Sequence, residues 1–323
     1  MEIWNGPEEV PHLDGSVVTI GMFAGMHRGH RAVVAATCEL ARELGVRPVA
    51  MTFSPHPVVV HHPERYVRPL MSMSQRLAAL QEAGIAATLV VQYTLDFARL
   101  TPEEFISRYA VDLLRARGLV VGADARFGRD NAGDVDTLRH LGEQYGFTVR
   151  IVDDLTDPVS GRRWSSTWVR EALATGDVDT AAYVLGRPHQ VRGEVVHGLK
   201  RGRELGYPTA NLKAEDAGVV PVDGVYAGWL VDGGQRLPAA ISVGSNPTFH
   251  GVERTVEAHV LGRDDLDLYG HIVTVEFAHW LRPMLAFDGI GPLLVQMRAD
   301  VVDTARLLGV SVPPPPRAGD PAL

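Results

Sequence analysis

Two different patterns of hydrophobic residues divide this chain, and the change between them lies near residues 186–188. In the first part, short β-branched runs alternate with segments whose apolar residues recur every three or four positions. This alternation is typical of a parallel, doubly wound sheet with helices on both faces. In the second part, strand-like runs follow one another with Gly, Asn and Pro between them, as in an antiparallel barrel or sandwich. We therefore predict one domain at residues 1–186 and another at residues 187–310.

Local signals predict the elements of the first domain. Its strands are predicted at residues 16–23, 46–53, 87–94, 119–124 and 147–155. After the first strand, apolar residues recur at helical spacing from Val33 to Leu44, and Gly45 ends that helix. Another helix is predicted over residues 101–118, where the opening Thr-Pro-Glu-Glu forms a capping box. Further helices are predicted at residues 74–84, 134–146, 165–176 and 177–186.

The second domain is predicted to consist mainly of strands. These are expected at residues 189–198, 224–234, 236–244, 255–262 and 271–281. A last helix is predicted over residues 291–309. The proline-rich tail, residues 311–323, is predicted to be disordered or extended.

Composition and charge limit the classes of function. Apolar residues make up 46% of the 323 residues and charged residues 22%, as in soluble globular proteins. The formal net charge of -8 argues against nucleic acid or a membrane as a partner. No apolar run approaches the roughly 18 residues of a membrane span, and the first ten residues lack a signal-peptide pattern, so a cytoplasmic location is expected. The single cysteine, Cys38, is predicted to be a buried apolar residue.

A motif with two histidines lies between the first predicted strand and the first predicted helix. Residues 21–30 read Gly-Met-Phe-Ala-Gly-Met-His-Arg-Gly-His. Ligands of doubly wound sheets bind at such junctions, where the free N–H groups of a helix point toward an anion. Gly29 allows a close approach of the backbone, and His27 and His30 offer hydrogen bonds to phosphate oxygens. The motif indicates a phosphate site, although a loop with two surface histidines has the same pattern.

Three more segments favour nucleotide chemistry in the first domain. Residues 52–57 end the second strand with two prolines around a histidine, and residues 121–134 form a glycine-rich loop after another strand. Residues 165–171 read Ser-Ser-Thr-Trp-Val-Arg-Glu, which places three hydroxyls at a helix start and an arginine one turn on. Such a helix start suits a phosphate. Taken alone, it is better explained by an N-cap and a solvated arginine.

The most informative stretch of the second domain is residues 193–212. It combines four glycines with three lysine or arginine residues and then reads Pro-Thr-Ala-Asn. Glycines permit close backbone approach and the cations suit a polyphosphate. The hydroxyl of Thr209 and the carboxamide of Asn211 are hard oxygen ligands of the kind that Mg²⁺ prefers. The alternative is a basic surface hairpin with a proline turn.

These motifs resemble those of the bacterial bifunctional riboflavin kinase/FAD synthetase family, over residues 17–308. For the first domain, the resemblance implies a nucleotidyltransferase that joins FMN to the adenylyl group of ATP and releases pyrophosphate. It implies that His27, Gly29 and His30 contact the ATP phosphates and that Asn131 lies near the flavin nucleotide or the phosphates. The mobile loop that it implies over the triphosphate contains Ser166, Thr167 and Arg170.

For the second domain, the same resemblance implies a flavokinase that transfers a phosphoryl group from ATP to riboflavin. The implied fold is a six-stranded barrel with a terminal helix. Thr209 and Asn211 would hold Mg²⁺ and ATP, and Glu257 would be the general base for the riboflavin 5′-hydroxyl. Without the resemblance, Glu257 is also explained as an outward-facing polar residue of a strand. The further phosphate contacts implied are Gly198, Lys200 and Gly202.

Two residues of the first domain differ from the family pattern. Ala24 stands where the family carries an aspartate, and Ala125 stands where it carries a phenylalanine. A carboxylate at the first position orders the turn and organises Mg²⁺ or water, which alanine does not. Three hypotheses follow: an enzyme that makes FMN and then FAD, a riboflavin kinase with a degenerate or altered nucleotidyltransferase domain, or a flavin-nucleotide-binding protein without activity. The intact Thr209, Asn211 and Glu257 argue against the last.

Overall fold

The computed structural model describes residues 1–65, 68–197, 205–213, 218–248 and 251–315. The chain forms two compact units. The first consists of Met1–Arg68 and Met73–Ser165, and the second of Pro69–Ser72 and Ser166–Leu323. No helix among the described residues combines the length and the apolar character needed to cross a bilayer.

A six-stranded parallel sheet forms the centre of the first unit, with strand order β1-β4-β3-β2-β5-β6. The strands are β1 (Glu2–Trp4), β2 (Ser16–Ile20), β3 (Arg47–Ser54), β4 (Ala87–Gln92), β5 (Ala116–Gly122) and β6 (Thr148–Val152). The predicted parallel sheet is confirmed. Strand β1 is an addition, because a three-residue edge strand is too short to show a period of its own.

Helices cover both faces of this sheet. They are α1 (Arg28–Glu43), α2 (Pro57–His61), α3 (Met73–Glu82), α4 (Leu95–Ala98), α5 (Pro102–Phe105) and α6 (Val135–Tyr145). On one face, Val17 and Val120 pack against Leu40 of α1. Val18 and Leu119, their neighbours in sequence, belong to a larger apolar cluster on the other face. This alternation follows from the two-residue period of strands, and it buries the central strands on both sides.

The capping box at the start of α5 is present. The Thr101 hydroxyl accepts a hydrogen bond from the N–H of Glu104, whose carboxylate accepts one from the N–H of Thr101. Helix α5 continues as a π-helix over Ile106–Leu113. The helix predicted over 101–118 is therefore too long, because Arg115 adopts a left-handed φ of 50° and Ala116 begins β5. Pairing of β5 with β2 outweighs the local helical pattern there.

A closed antiparallel barrel forms the centre of the second unit, with strand order β10-β11-β8-β7-β12-β9. Its strands are β7 (His189–Val196), β8 (Ala210–Leu212), β9 (Gly224–Asp232), β10 (Gln235–Thr248), β11 (Gly251–Val260) and β12 (Ile272–Arg282). The barrel is closed and has six strands, as the family resemblance implied. Strand β8 has three residues, and its place in the barrel was not evident from periodicity.

Within its described residues, the second unit has three helices: α7 (Ser166–Thr175), α8 (Val178–Leu185) and α9 (Ile290–Leu308). Helix α9 is the predicted terminal helix, and its Val301 and Ala305 pack with Tyr207 and Leu261. Helix α8 lies on β12, where Oδ1 of Asp179 is 2.7 Å from Nδ1 of His279. Residues 311–315 have no helix or strand, and the rest of the predicted tail is outside the described residues.

Candidate active sites

The turn after β2 has an unusual backbone. Phe23 and Met26 have φ values of 46° and 48°, in the left-handed region that bulky residues rarely adopt. Both side chains are buried, and the N–H of Met26 donates to the carbonyl of Phe23 at 3.3 Å. Such conformations cost on the order of 1–3 kcal/mol each and cluster at functional sites. The sequence motif gave no sign of them, because only its glycines indicated unusual backbone.

His27 and His30 are brought together at the start of α1. His27 is the N-cap, and its Nδ1 accepts a hydrogen bond from the N–H of His30 at 3.4 Å. This bond assigns the His27 proton to Nε2, which leaves that atom as a donor. The two imidazole rings stack with centroids 3.7 Å apart. A Cβ on Gly29 would lie 3.2 Å from the His27 ring, so glycine gives the stacked pair its room.

Both histidines are neutral at physiological pH. Burial, and to a smaller extent the charge of Arg163, lower the pKa of His27 to about 4, while Asp124 opposes the shift. Burial also lowers the pKa of His30, and the proximity of His27 and the charges of Arg76 and Arg163 act in the same direction. Neutral imidazoles donate hydrogen bonds without adding charge. The positive potential at this junction therefore comes from arginines and from the N-terminus of α1.

The remaining residues of the first predicted site belong to other elements of the fold. Asn131 is exposed in a short 3₁₀ turn, Arg129–Asn131, and has a left-handed φ of 56°. Ser166, Thr167 and Arg170 lie in the first turns of α7, within the second unit. Burial lowers the pKa of Arg170.

An aromatic cluster at the carboxyl ends of β3 and β4 was missed by the sequence analysis. Phe53, Tyr93 and Phe97 contact one another with ring centroids 5.4–5.9 Å apart. The Tyr93 hydroxyl is 3.0 Å from Nε2 of His61. The available signal was an aromatic residue at the end of each of two predicted strands, the edge at which parallel sheets bind ligands.

In the second unit, the barrel brings Thr209, Asn211 and Glu257 together. Asn211 of β8 and Glu257 of β11 are directly opposed in the strand pairing, so their side chains share a face. Val256 and Ala258 are buried and point the other way. Oγ1 of Thr209 donates to Oε2 of Glu257 at 3.4 Å, and Nδ2 of Asn211 donates to Oγ1 of Thr209 at 3.3 Å.

Glu257 is a carboxylate with raised proton affinity. Burial raises its pKa above the ordinary value, and the hydrogen bond from Thr209 offsets part of this rise. A general base benefits from such a shift, because its pKa moves toward the working pH. Thr209 and Asn211 also line a pocket whose other wall is the loop 263–269. Three of the predicted phosphate contacts, Gly198, Lys200 and Gly202, lie outside the described residues.

His259 holds the backbone next to this site, and the sequence analysis did not single it out. It lies two residues after Glu257, and its Nδ1 donates to the carbonyl of Pro208 at 2.9 Å. Its ring also packs against that of Tyr207. Burial lowers the pKa of His259, which keeps it neutral. This contact fixes the residue that precedes Thr209.

The oxygen donors present suit a magnesium ion that is shared with a nucleotide. No group of three His, Cys, Asp or Glu side chains in the described part of the chain is placed to hold a metal. The site offers a hydroxyl, a carboxamide oxygen and one carboxylate instead. Mg²⁺ in kinases is commonly bound by one or two protein ligands together with substrate phosphates and water.

Comparisons with known proteins agree with this architecture. The FAD synthetase family model matches residues 9–168, and the riboflavin kinase family model matches residues 185–308. The bifunctional riboflavin kinase/FMN adenylyltransferase of Escherichia coli strain K12 is 35% identical over 93% of this chain and 95% of its own length. The Pseudomonas fluorescens protein of the same description is 37% identical over 93% of this chain and 96% of its own length.

A solved structure has the same fold over nearly the whole chain. It is described as a macrolide-efflux protein from Streptococcus pneumoniae, and it superposes with a TM-score of 0.85 at 32% identity. The match covers 94% of this chain and 97% of that one. Two family models, full-length relatives and two candidate sites on matching folds lead to one conclusion. The chain belongs to the bifunctional riboflavin kinase/FMN adenylyltransferase family.

Proposed function

We propose that this enzyme phosphorylates riboflavin to FMN and then adenylylates FMN to FAD. The chain carries both the riboflavin kinase and the FAD synthetase domain, which supports this function over a kinase with a degenerate first domain. The observation that carries the kinase assignment is the contact of Glu257 with Thr209 and Asn211 beside a pocket. We propose residues 1–186 as the adenylyltransferase part and residues 187–310 as the kinase part.

In the kinase reaction, Glu257 takes the proton from the 5′-hydroxyl of riboflavin. The oxygen then attacks the γ-phosphorus of ATP, the bond to the β–γ bridging oxygen breaks, and ADP leaves. Thr209 Oγ1 and Asn211 Oδ1 would hold Mg²⁺, which when bound neutralises charge on the phosphates. The hydrogen bond from Thr209 orients the Glu257 carboxylate. We propose Gly198, Lys200 and Gly202 as further phosphate contacts.

In the adenylyl transfer, a phosphate oxygen of FMN attacks the α-phosphorus of ATP. The bond to the α–β bridging oxygen breaks and pyrophosphate leaves. His27 and His30, with Gly29 between them, would donate hydrogen bonds to the phosphates from the start of α1. No covalent enzyme intermediate is required, because positioning and charge neutralisation are sufficient. The residues proposed to close over the triphosphate are Ser166, Thr167 and Arg170.

The flavin ring of the second reaction requires apolar or aromatic groups to pack against. The inclined rings of Phe53, Tyr93 and Phe97 offer aromatic edges and faces at the carboxyl ends of β3 and β4, and we propose that the flavin ring packs against one of these faces. Asn131 would contact the flavin nucleotide from the neighbouring turn. Riboflavin, FMN and ATP are thus the proposed partners, and the proposed location is the cytoplasm.

A product analysis tests this function. The full chain is incubated with riboflavin and Mg-ATP, and flavins are separated by chromatography. Formation of FMN followed by FAD is expected. FMN alone would instead support the kinase-only hypothesis, and no product would support a flavin-binding protein. A Glu257→Gln control identifies FMN that arises from a contaminating kinase, because such FMN persists in the variant.

A further inference from the structure

Arg76 is a buried cation at the carboxyl end of β3. It lies on α3, and only 5% of its surface is exposed. Its Nη1 donates to Oγ1 of Thr52 at 3.1 Å and to the carbonyl of Phe53 at 3.3 Å. Both acceptors are neutral. The guanidinium therefore lies at the edge of the sheet where parallel strands present ligands.

The charge of Arg76 has no carboxylate partner among the described residues. Its buried Nε makes no hydrogen bond within that part of the chain. Arg282 of the barrel shows the contrast, since its guanidinium makes two bonds of 2.8 and 2.7 Å to the Asp300 carboxylate. An unpaired buried charge is costly and is normally compensated. Burial lowers the pKa of Arg76 only to about 10, so the group stays charged at pH 7.

Contacts place this cation beside the histidine turn. Oγ1 of Thr52, which accepts from Arg76, also donates to the carbonyl of Met22 at 3.5 Å. Met22 lies in the turn that leads to His27. His30 carries a second orphan atom, since its buried Nδ1 has no partner among the described residues. The Nε–H of Arg76, and the Nδ1 of His30 in the tautomer that carries its proton there, are buried donors without an acceptor at a ligand edge, as expected where an anion binds.

We propose that Arg76 binds the triphosphate of ATP in the adenylyl transfer and neutralises charge on the departing pyrophosphate, an inference that rests on the proposed adenylyltransferase function. As the α–β bridging bond breaks, negative charge grows on the pyrophosphate, and a pre-placed cation stabilises it. The nearby Arg163 already pairs with Asp124 and Asp154.

The competing explanation is that Arg76 only ties α3 to β3. The test compares full-length wild type, Arg76→Gln and Arg76→Lys, with FMN and Mg-ATP supplied directly. We expect Arg76→Gln to lower kcat/KM for ATP in FAD formation by about 10²–10³-fold, and to weaken inhibition by inorganic pyrophosphate. Arg76→Lys, which keeps the charge, should retain part of the kcat/KM for ATP and part of the inhibition by pyrophosphate. FMN formation from riboflavin should stay at the wild-type rate in each variant.

Two controls separate the explanations. Thr52→Val removes one acceptor of Arg76 but keeps the cation, so it should reduce melting temperature without weakening pyrophosphate inhibition. Arg150→Gln removes a surface arginine that pairs with Glu39 and Glu43. It should leave pyrophosphate inhibition and the kinetic parameters for ATP at their wild-type values. Folded Arg76→Gln with wild-type pyrophosphate inhibition would overturn the proposal. If Arg76→Gln does not fold, the proposal would be overturned by an Arg76→Lys enzyme whose kcat/KM for ATP and pyrophosphate inhibition equal those of wild type.

Failure of the proposed function is recognised separately. A wild-type chain that makes no FAD would remove the adenylyltransferase proposal, and calorimetric titration with inorganic pyrophosphate would then test Arg76. Binding that is lost in Arg76→Gln and kept in Arg150→Gln supports the anion site. Equal binding by wild type and Arg76→Gln, or none by either, contradicts it.

Discussion

Replacing Glu257 by glutamine tests its role as a general base without disturbing the fold of the barrel. The amide has the size of the carboxylate and keeps an oxygen that accepts the hydrogen bond from Thr209. It has no useful proton affinity. We therefore expect Glu257→Gln to form the barrel and bind its ligands but to lose most kinase activity.

The relative magnitudes show which effect dominates. The Thr209–Glu257 contact is long, at 3.4 Å, and weakening a hydrogen bond of this kind costs about 0.5–1.5 kcal/mol at most. Losing a positioned base costs about 10²–10⁴-fold in rate. That factor corresponds to roughly 2.7–5.5 kcal/mol of barrier height, since each tenfold is about 1.4 kcal/mol. The free energy lost from catalysis should thus far exceed the free energy lost with this hydrogen bond.

Although kcat falls, the thermal stability of Glu257→Gln at neutral pH should be higher than that of wild type. Burial raises the pKa of Glu257 in the folded chain above its unfolded value, so protonation favours the folded state. The favourable contribution is complete below the unfolded pKa and is lost as the pH rises through the folded pKa. At pH 7.5 the ionised carboxylate is therefore a cost that glutamine removes. Glu257→Gln should melt at a higher temperature than wild type at pH 7.5, and the difference should vanish near pH 4.

The assay is steady-state FMN formation with saturating riboflavin and Mg-ATP, measured from pH 5 to pH 9. Wild-type kcat should fall on the acid side as Glu257 becomes protonated, whereas the variant should show no such limb. Glu276→Gln is a matched control, because Glu276 is a half-buried strand carboxylate that pairs with Arg236 at 2.8 Å. It should keep the kinase rate and lose stability. A Glu257→Gln enzyme with more than about a tenth of wild-type kcat would refute the base assignment.

Three further predictions concern the two activities. His30→Ala should abolish FAD formation and leave FMN formation near normal; a comparable fall in both rates would contradict separate sites. Ala24→Asp, alone or with Ala125→Phe, should speed FAD formation by on the order of 10²–10³-fold, while the kinase rate stays unchanged. A wild-type enzyme that already forms FAD as fast as the variant would show that Ala24 does not impair catalysis. Fragments 187–323 and 166–323 should both make FMN, but the longer one should have the higher melting temperature because α8 packs on β12. Equal melting curves would contradict that contribution.

Much of the architecture was determined by local sequence. The capping box at Thr101 formed as expected, because it depends on residues three positions apart. The parallel sheet and the antiparallel barrel followed from hydrophobic period, which reports the faces that each element must bury. The histidine motif was likewise placed correctly at the junction of β2 and α1, since a strand end and a helix start are both local signals.

Only the tertiary structure decided the rest. Strands β1 and β8 have three residues each, too few for a period, and exist because neighbouring strands pair with them. Asn211 and Glu257 are 46 residues apart in the chain, and strand register alone placed them on one face. The sequence analysis did not single out Arg76, which packing buries beside Thr52 with no carboxylate partner in the described part of the chain. Sequence specifies which groups are present and how they repeat locally, but burial and long-range register determine which charges meet and which remain unpaired.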